Sequence, residues 1–175
     1  MKNFVDIEID FLTESVVEAA TGIIHETYIT SVSQVLIKSI HKKSGWSFNW
    51  RKEFKSTGRK IFMLTLKNDL SNLLGLISLE VMEDHVHVHL VESSPDNLGA
   101  QKKFLGIGGN LFAFACKTSF DNGFCGNIAF ISKTNLIQHY SLTLGAVYIG
   151  NYRMIIRENE AIFLISKYYA SDKRY

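Results

Sequence analysis

The stretch Lys103-Phe104-Leu105-Gly106-Ile107-Gly108-Gly109-Asn110-Leu111 places three glycines in four positions, ahead of a long apolar run. Glycine loses more backbone freedom on ordering than any other residue, so a cluster this dense needs a compensating contact. The run behind it, Asn110 to Gly123 ("NLFAFACKTSFDNG"), is apolar almost all round and predicts a buried helix ended by Gly123. Glycines opening such a helix let several N–H groups point outward with no Cβ to block approach. They do so at the end where the helix dipole favours an anion. A pyrophosphate bound there would accept charge-assisted hydrogen bonds of about 1.5–3 kcal/mol each, enough to offset the ordering of glycine.

Other uses of a glycine cluster fit less well. A dinucleotide-binding turn wants Gly or Ala where Leu111 stands, directly after the first strand; here Ser93 to Lys103 separate the cluster from the preceding strand. The following strand ends Ile131-Ser132-Lys133, with no acid for a ribose. A Walker loop is excluded because no Gly-Lys-Ser/Thr follows. A glycine-rich flexible loop is the remaining structural alternative.

Outward from the cluster, "HVHVHLVE" (His85–Glu92) precedes it and "GNIAFIS" (Gly126–Ser132) follows it, both strands by pattern. "TNLIQHYSLTLG" is a helix with Thr134 placed to cap its start and Gly145 past its end. "RKIFMLTLK" and "LLGLISLEVME" read as a hairpin joined by "NDLSN". Phe4 to Phe11 alternates acids against Val5, Ile7 and Ile9, as a strand does. Val16, Val17, Ala20, Ile23 and Ile24 follow helical spacing from Thr13, and Val32, Val35, Leu36 and Ile40 repeat it towards a stop at Gly45. "WSFNWRKEF" is open between strand and loop, and the chain closes with an antiparallel pair, "AVYIGNYRMIIR" and "AIFLISKYY". The order predicts an α+β fold with a mostly antiparallel sheet.

The length of 175 residues fits one domain, 1–175, with no repeat or linker. A net charge of +2 is too small to argue for a nucleic-acid partner, and no apolar run is long enough to span a membrane. "MKNFVDIEID" is broken by acids and is not a signal peptide. Cys116 and Cys125 lie in apolar surroundings without metal-ligand spacing, so both are expected as buried free thiols in a reducing compartment, the cytoplasm.

In this strand–loop–helix–strand–helix setting, Lys103 to Leu111 resembles the coenzyme A loop of the GNAT N-acetyltransferase superfamily, which typically runs Arg/Gln-x-x-Gly-x-Gly/Ala. The resemblance covers roughly Leu73 to Ile149. It implies a GNAT-like mixed, mostly antiparallel twisted sheet with helices on both faces and splayed fourth and fifth strands, and acetyl-CoA as acyl donor. It further implies that the backbone from Lys103 through Phe104, Leu105, Gly106, Ile107, Gly108, Gly109 and Asn110 cradles the pyrophosphate. The pantetheine arm would pair with the fourth strand at Leu90, Val91 and Glu92. Asn135 is a further cofactor contact by position, or part of the helix start. Lys103 stands where Arg or Gln is usual, the link "SSPDNLGAQK" is longer than the family's, and Tyr140 lies five residues before Gly145 rather than four.

Transfer to an amine asks for a base, since an ammonium of pKa ~10.4 is almost wholly charged at neutral pH. The leaving thiolate profits from an acid. The strand end offers Glu92 as the base, with Glu80 behind it. The family's helix position makes Tyr140 the acid. His85, His87 and His89 share one strand face at ~6.6–6.8 Å intervals, with the outer two ~13 Å apart. No further ligand completes a metal set, so no metal is expected, and His87 or His89 could relay protons through water. The function implied is an acetyl-CoA-dependent N-acyltransferase acting on a small-molecule or protein amine. A GNAT-fold domain binding acyl-CoA or a protein partner without catalysis is the alternative. The acceptor and the oligomeric state, a homodimer included, stay open.

Overall fold

The structure, a computed structural model, describes residues 3–170. Met1, Lys2 and residues 171–175, which belong to the expected domain 1–175, lie outside the described residues.

In chain order the elements begin with β1 (Val16–Glu18), β2 (Ile24–His25), β3 (Thr27–Ser31), α1 (Gln34–Ile37) and α2 (Trp50–Phe54). They continue with β4 (Arg59–Leu66), β5 (Asp69–Val81), β6 (Val86–Ser93), β7 (Phe104–Leu105) and α3 (Ile107–Asp121). Last come β8 (Ile128–Ile131), α4 (Ile137–Leu144), β9 (Val147–Tyr148), β10 (Arg153–Ile156) and α5 (Glu158–Tyr168).

The main sheet has seven strands in the order β3-β4-β5-β6-β8-β10-β9, and its single parallel pair is β6 with β8. A three-stranded sheet, β2-β1-β7, lies beside it. Both faces of the main sheet are covered, in keeping with the unbroken burial of β5 from Leu74 to Leu79. On one face α3 and α5 bury Leu111, Phe112, Ala161, Leu164 and Ile165 against β5, β6 and β8. On the other, Trp46, Trp50, Ile37 and Ile40 pack on Ile61, Leu76 and Leu90. The expected α+β, mostly antiparallel architecture with helices on both faces is what the chain adopts.

Several elements depart from the sequence reading. Phe4 to Phe11 is extended but joins no ladder, and Val5 makes one isolated parallel bridge to Ser132. The helix expected from Thr13 is instead the hairpin β1–β2, Val16 opposite His25, turned through Thr21-Gly22 with Gly22 at φ 72. Val16, Val17, Ile23 and Ile24 meet helical spacing, but their β-branched side chains favour that pleat. The second helix shrinks to one turn, α1, capped by the Ser33 hydroxyl; Gly45 does end the segment after it, at φ 93. "WSFNWRKEF" holds helix α2, capped by Asn49, rather than a strand or a loop. The last antiparallel pair, β9 and β10, lies entirely within "AVYIGNYRMIIR". "AIFLISKYY" is helix α5, with Ala161, Leu164, Ile165 and Tyr168 on its buried side and Glu158 and Glu160 in its first turn. Thr134 caps nothing, because a 3₁₀ turn over Thr134–Leu136 precedes α4. Cys116 is buried as expected, but Cys125 is exposed, in a turn at φ 54.

Candidate functional site

β6 and β8 pair only from Val86↔Ile128 to Val88↔Phe130 and then part. At the same point β6 carries a bulge: Leu79 faces Val88 while Ser78 faces Leu90, leaving His89 as the extra residue. A bulge reverses which residues point to which face. Val86 and Val88 pack under α3, and beyond the bulge Val91 does so, while Leu90 packs beside Trp50. Glu92 thereby joins the face of the histidines. Strict alternation would have placed it with Val86 and Val88.

That face carries a chain of polar groups. Glu92 is buried and accepts from Trp50 Nε1 at 2.7 Å, from Ser47 N at 2.6 Å and from Phe48 N at 3.4 Å. Glu53, also buried, accepts from Ser78 Oγ at 2.6 Å, Asn3 Nδ2 at 3.1 Å and Arg59 Nη1 at 2.8 Å. His89 Nε2 lies 2.7 Å from Glu80 Oε2. Burial lowers the His89 pKa, opposed by that hydrogen bond. Burial, followed by the neighbouring His89 and His85, pulls His87 down to about 4, so its ring is neutral at neutral pH. A cavity of about 640 Å³ opens on this face, bordered by His87 and His89 with Lys42, Lys52, Arg59 and Glu53. A smaller one of about 270 Å³ continues along β6 past Val91, Glu92 and Ser93 to Leu98, Gly99 and Lys102; Ser47 and Phe48 border both.

The parted strands enclose the chain's own N-terminal segment. Val5 N donates to Ile131 O at 2.7 Å, and Lys133 N to Val5 O at 3.2 Å. Ile7 N donates to the Tyr140 hydroxyl at 3.1 Å, and that hydroxyl donates to Ile7 O at 2.7 Å. Ile9 N donates to His139 Nε2 at 2.8 Å, so His139 carries its proton on Nδ1. The Asp10 carboxylate pairs with Lys102 Nζ at 2.9 Å and accepts from Gly106 N at 3.4 Å. Val5, Ile7 and Ile9 are all buried, each stabilising this docking by about 1.5–3 kcal/mol. The segment is an anchored strap and not a fraying end.

The glycines are explained by these neighbours. Gly106 has φ 86, and a Cβ on it would come within 2.6 Å of Ser15 O. One on Gly108 would meet Ile9 Cδ1 at 2.8 Å, and one on Gly109 the Tyr168 ring at 2.6 Å. Among the residues expected to touch a cofactor, Lys103 is exposed, Phe104 is buried, and Leu105 pairs with Val17. The Asn110 side chain is tied to Thr27 and Tyr169, and Asn135 is exposed. Tyr140 is fully buried, with its hydroxyl aimed into the opening; burial raises its pKa, so it keeps its proton. Asp10, Lys102, His139, Trp50, Glu53 and Arg59 were not singled out from the sequence. Apart from the acids alternating along Phe4 to Phe11, nothing local marks them.

A pyrophosphate fits the start of α3 on one internal observation: a carboxylate already occupies it. Gly106 N and Lys102 Nζ hold the Asp10 oxygens where the helix dipole favours negative charge. The strap covers that place here.

Seven strands in this order, with a parted parallel pair, a glycine-opened helix between its strands and helices on both faces, make up the GNAT fold. Solved structures agree. A spermidine N-acetyltransferase chimera of Vibrio cholerae SpeG and hSSAT superposes with TM-score 0.56 at 15% identity, covering 79% of this chain and 99% of its own. A second such chimera gives TM-score 0.54 at 16% identity over 78% and 99%. A dodecameric spermidine N-acetyltransferase from Vibrio cholerae gives 0.53 at 17% over 77% and 95%. No protein-family model matches the chain, and no curated protein matches it in sequence. Among the described residues no helix is long and apolar enough to cross a membrane, and no cluster of His, Cys, Asp and Glu is placed to hold a metal.

Proposed function

We propose that the chain is an acyl-CoA-dependent N-acyltransferase, with acetyl-CoA as donor. The supporting observation is the opening between β6 and β8, with an anion-holding helix start at one end and a polar cavity at the other. Bound there, the donor supplies an acyl group activated as a thioester. Lys102 and the N–H groups from Gly106 to Gly109 hold its phosphates, with Lys103 outside them. The edge of β6 at Leu90, Val91 and Glu92 faces its arm. Tyr140, whose hydroxyl already meets a peptide group inside the opening, holds a proton for the leaving thiolate. On the acceptor side, His89 takes the amine proton through water and Glu80 orients its ring. Glu92 holds the Ser47–Trp50 segment that borders both cavities; three donors already occupy its oxygens.

The acceptor cavity favours an amine that also carries an anionic group. Among the described residues, Lys42, Lys52 and Arg59 border it against Glu53 alone, and His87 is neutral. A polycation would meet like charge there. The test is amine-dependent release of thiol from acetyl-CoA, comparing spermidine with amino acids and acidic peptide N-termini. The anionic amines are expected to turn over faster. Preference for spermidine would contradict the acceptor assignment, and no release with any amine would contradict catalysis.

A further inference from the structure

We propose that the N-terminal strap, Val5 to Thr13, is an internal competitor of the acyl donor: it lies along the donor's path, and donor binding requires it to leave. This rests on the acyltransferase reading above. Three independent contacts coincide along one line. At one end the Asp10 carboxylate takes the Gly106 N–H and the Lys102 ammonium, the groups that would hold a phosphate. In the middle Ile7 and Ile9 press on Gly108, and Ile7 occupies the Tyr140 hydroxyl with both its backbone N–H and its backbone C=O. At the far end Val5 bridges to the strand that has left β6.

The strap imitates an acyl donor in chemistry as well as in position: an anion at the helix start, an extended arm with peptide groups, and apolar contact with glycine. The small cavity between it and Val91–Ser93 shows that it leaves the β6 edge uncovered. The strap side of the opening is therefore the part a donor must clear. A chain closed in this way takes up donor only in proportion to its open fraction. Anything that draws the strap away would then raise activity without touching a catalytic group.

The experiment uses the full chain and coenzyme A as probe, following amide exchange at Ile7 and Ile9 and the dissociation constant by calorimetry. Saturating coenzyme A is expected to speed exchange of both amides at least ~10-fold as the Tyr140 and His139 bonds are lost. Asp10→Ala, which removes one ion pair and the charge at the helix start, is expected to tighten coenzyme A binding about 5- to 30-fold. Binding by Asp10→Ala alone, with none by the parent, supports the proposal equally. If both amides stay protected at saturation, or the two proteins bind equally, the strap is a fixed wall and the proposal is overturned. If coenzyme A binds neither the parent nor Asp10→Ala nor the Ile9→Ala/Asp10→Ala double variant, the donor reading fails and this proposal falls with it.

Discussion

Tyr140→Phe is expected to slow acyl transfer by about 10²–10⁴-fold, the range a general acid typically contributes. The ring packs edge-on against Phe130, with centroids 5.4 Å apart, and within 6.1 Å of Phe112, so phenylalanine keeps the packing and loses only the hydroxyl. The same hydroxyl holds the backbone N–H and C=O of Ile7, and removing it leaves them without that partner. An orphaned buried group costs about 1–3 kcal/mol, a penalty that weakens the strap. Turnover should therefore fall while the apparent affinity for the donor holds or improves, a split that a general loss of folding does not produce. Steady-state kinetics in acetyl-CoA read both quantities. Transfer at the parental rate would make Tyr140 a packing residue that anchors the strap.

Glu92→Ala is expected to destabilise the fold by about 3–5 kcal/mol, seen as a lower urea midpoint. Trp50 is fully buried, and with the carboxylate gone its indole N–H and the Ser47 and Phe48 amides lose their acceptor. Glu92→Gln keeps one acceptor oxygen and should cost less than half as much. The pair of variants separates two roles. If Glu92 supports the loop, the glutamine variant transfers acyl groups at a rate close to the parent's. A 10²-fold or greater loss of rate in a glutamine variant of near-parental stability would make Glu92 the base itself.

Glycine spacing, a nearly all-apolar run behind it and period-2 strands around it were sufficient to place α3 between β6 and β8. Those are local signals; the splayed strand pair rests on the resemblance of Lys103–Leu111 to a coenzyme A loop, and nothing local gives the strand order. The hairpin at Val16–His25 was not legible, because Val and Ile at positions 16, 17, 23 and 24 satisfy helical and strand spacing alike. Their β-branching and the Thr21-Gly22 turn are what favour the hairpin. α5 did carry its own mark in Ala161, Leu164, Ile165 and Tyr168. Phe163 and Ile162, both exposed, fill the gaps and make the segment look like a buried strand. The bulge at His89 has no sequence signature, yet it decides where Glu92 points.

The strap shows the same limit most clearly. Its alternation marks an extended segment, and it is one. Apart from the isolated bridge at Val5, it joins no ladder: the Ile7 and Ile9 backbone groups bond to the side chains of Tyr140 and His139, more than a hundred residues away in sequence. The glycine spacing points to a ligand, and in the structure the glycines are met by Ile9, Ser15 and Tyr168. Both readings need bare backbone at the same place, which is why the motif alone does not separate them.

On the reading proposed above, the start of α3 and the opening beside it form a coenzyme A site. Thermal unfolding with coenzyme A tests it most directly, with NAD as the control nucleotide. At a hundred times its dissociation constant a ligand specific for the folded state stabilises it by about 2.7 kcal/mol. For a chain of this length that corresponds to a rise in melting temperature of about 5–10 °C. Coenzyme A and acetyl-CoA are expected to produce that rise and NAD a far smaller one. No rise with coenzyme A or with acetyl-CoA at millimolar concentration, in both the parent and Asp10→Ala, would contradict that reading.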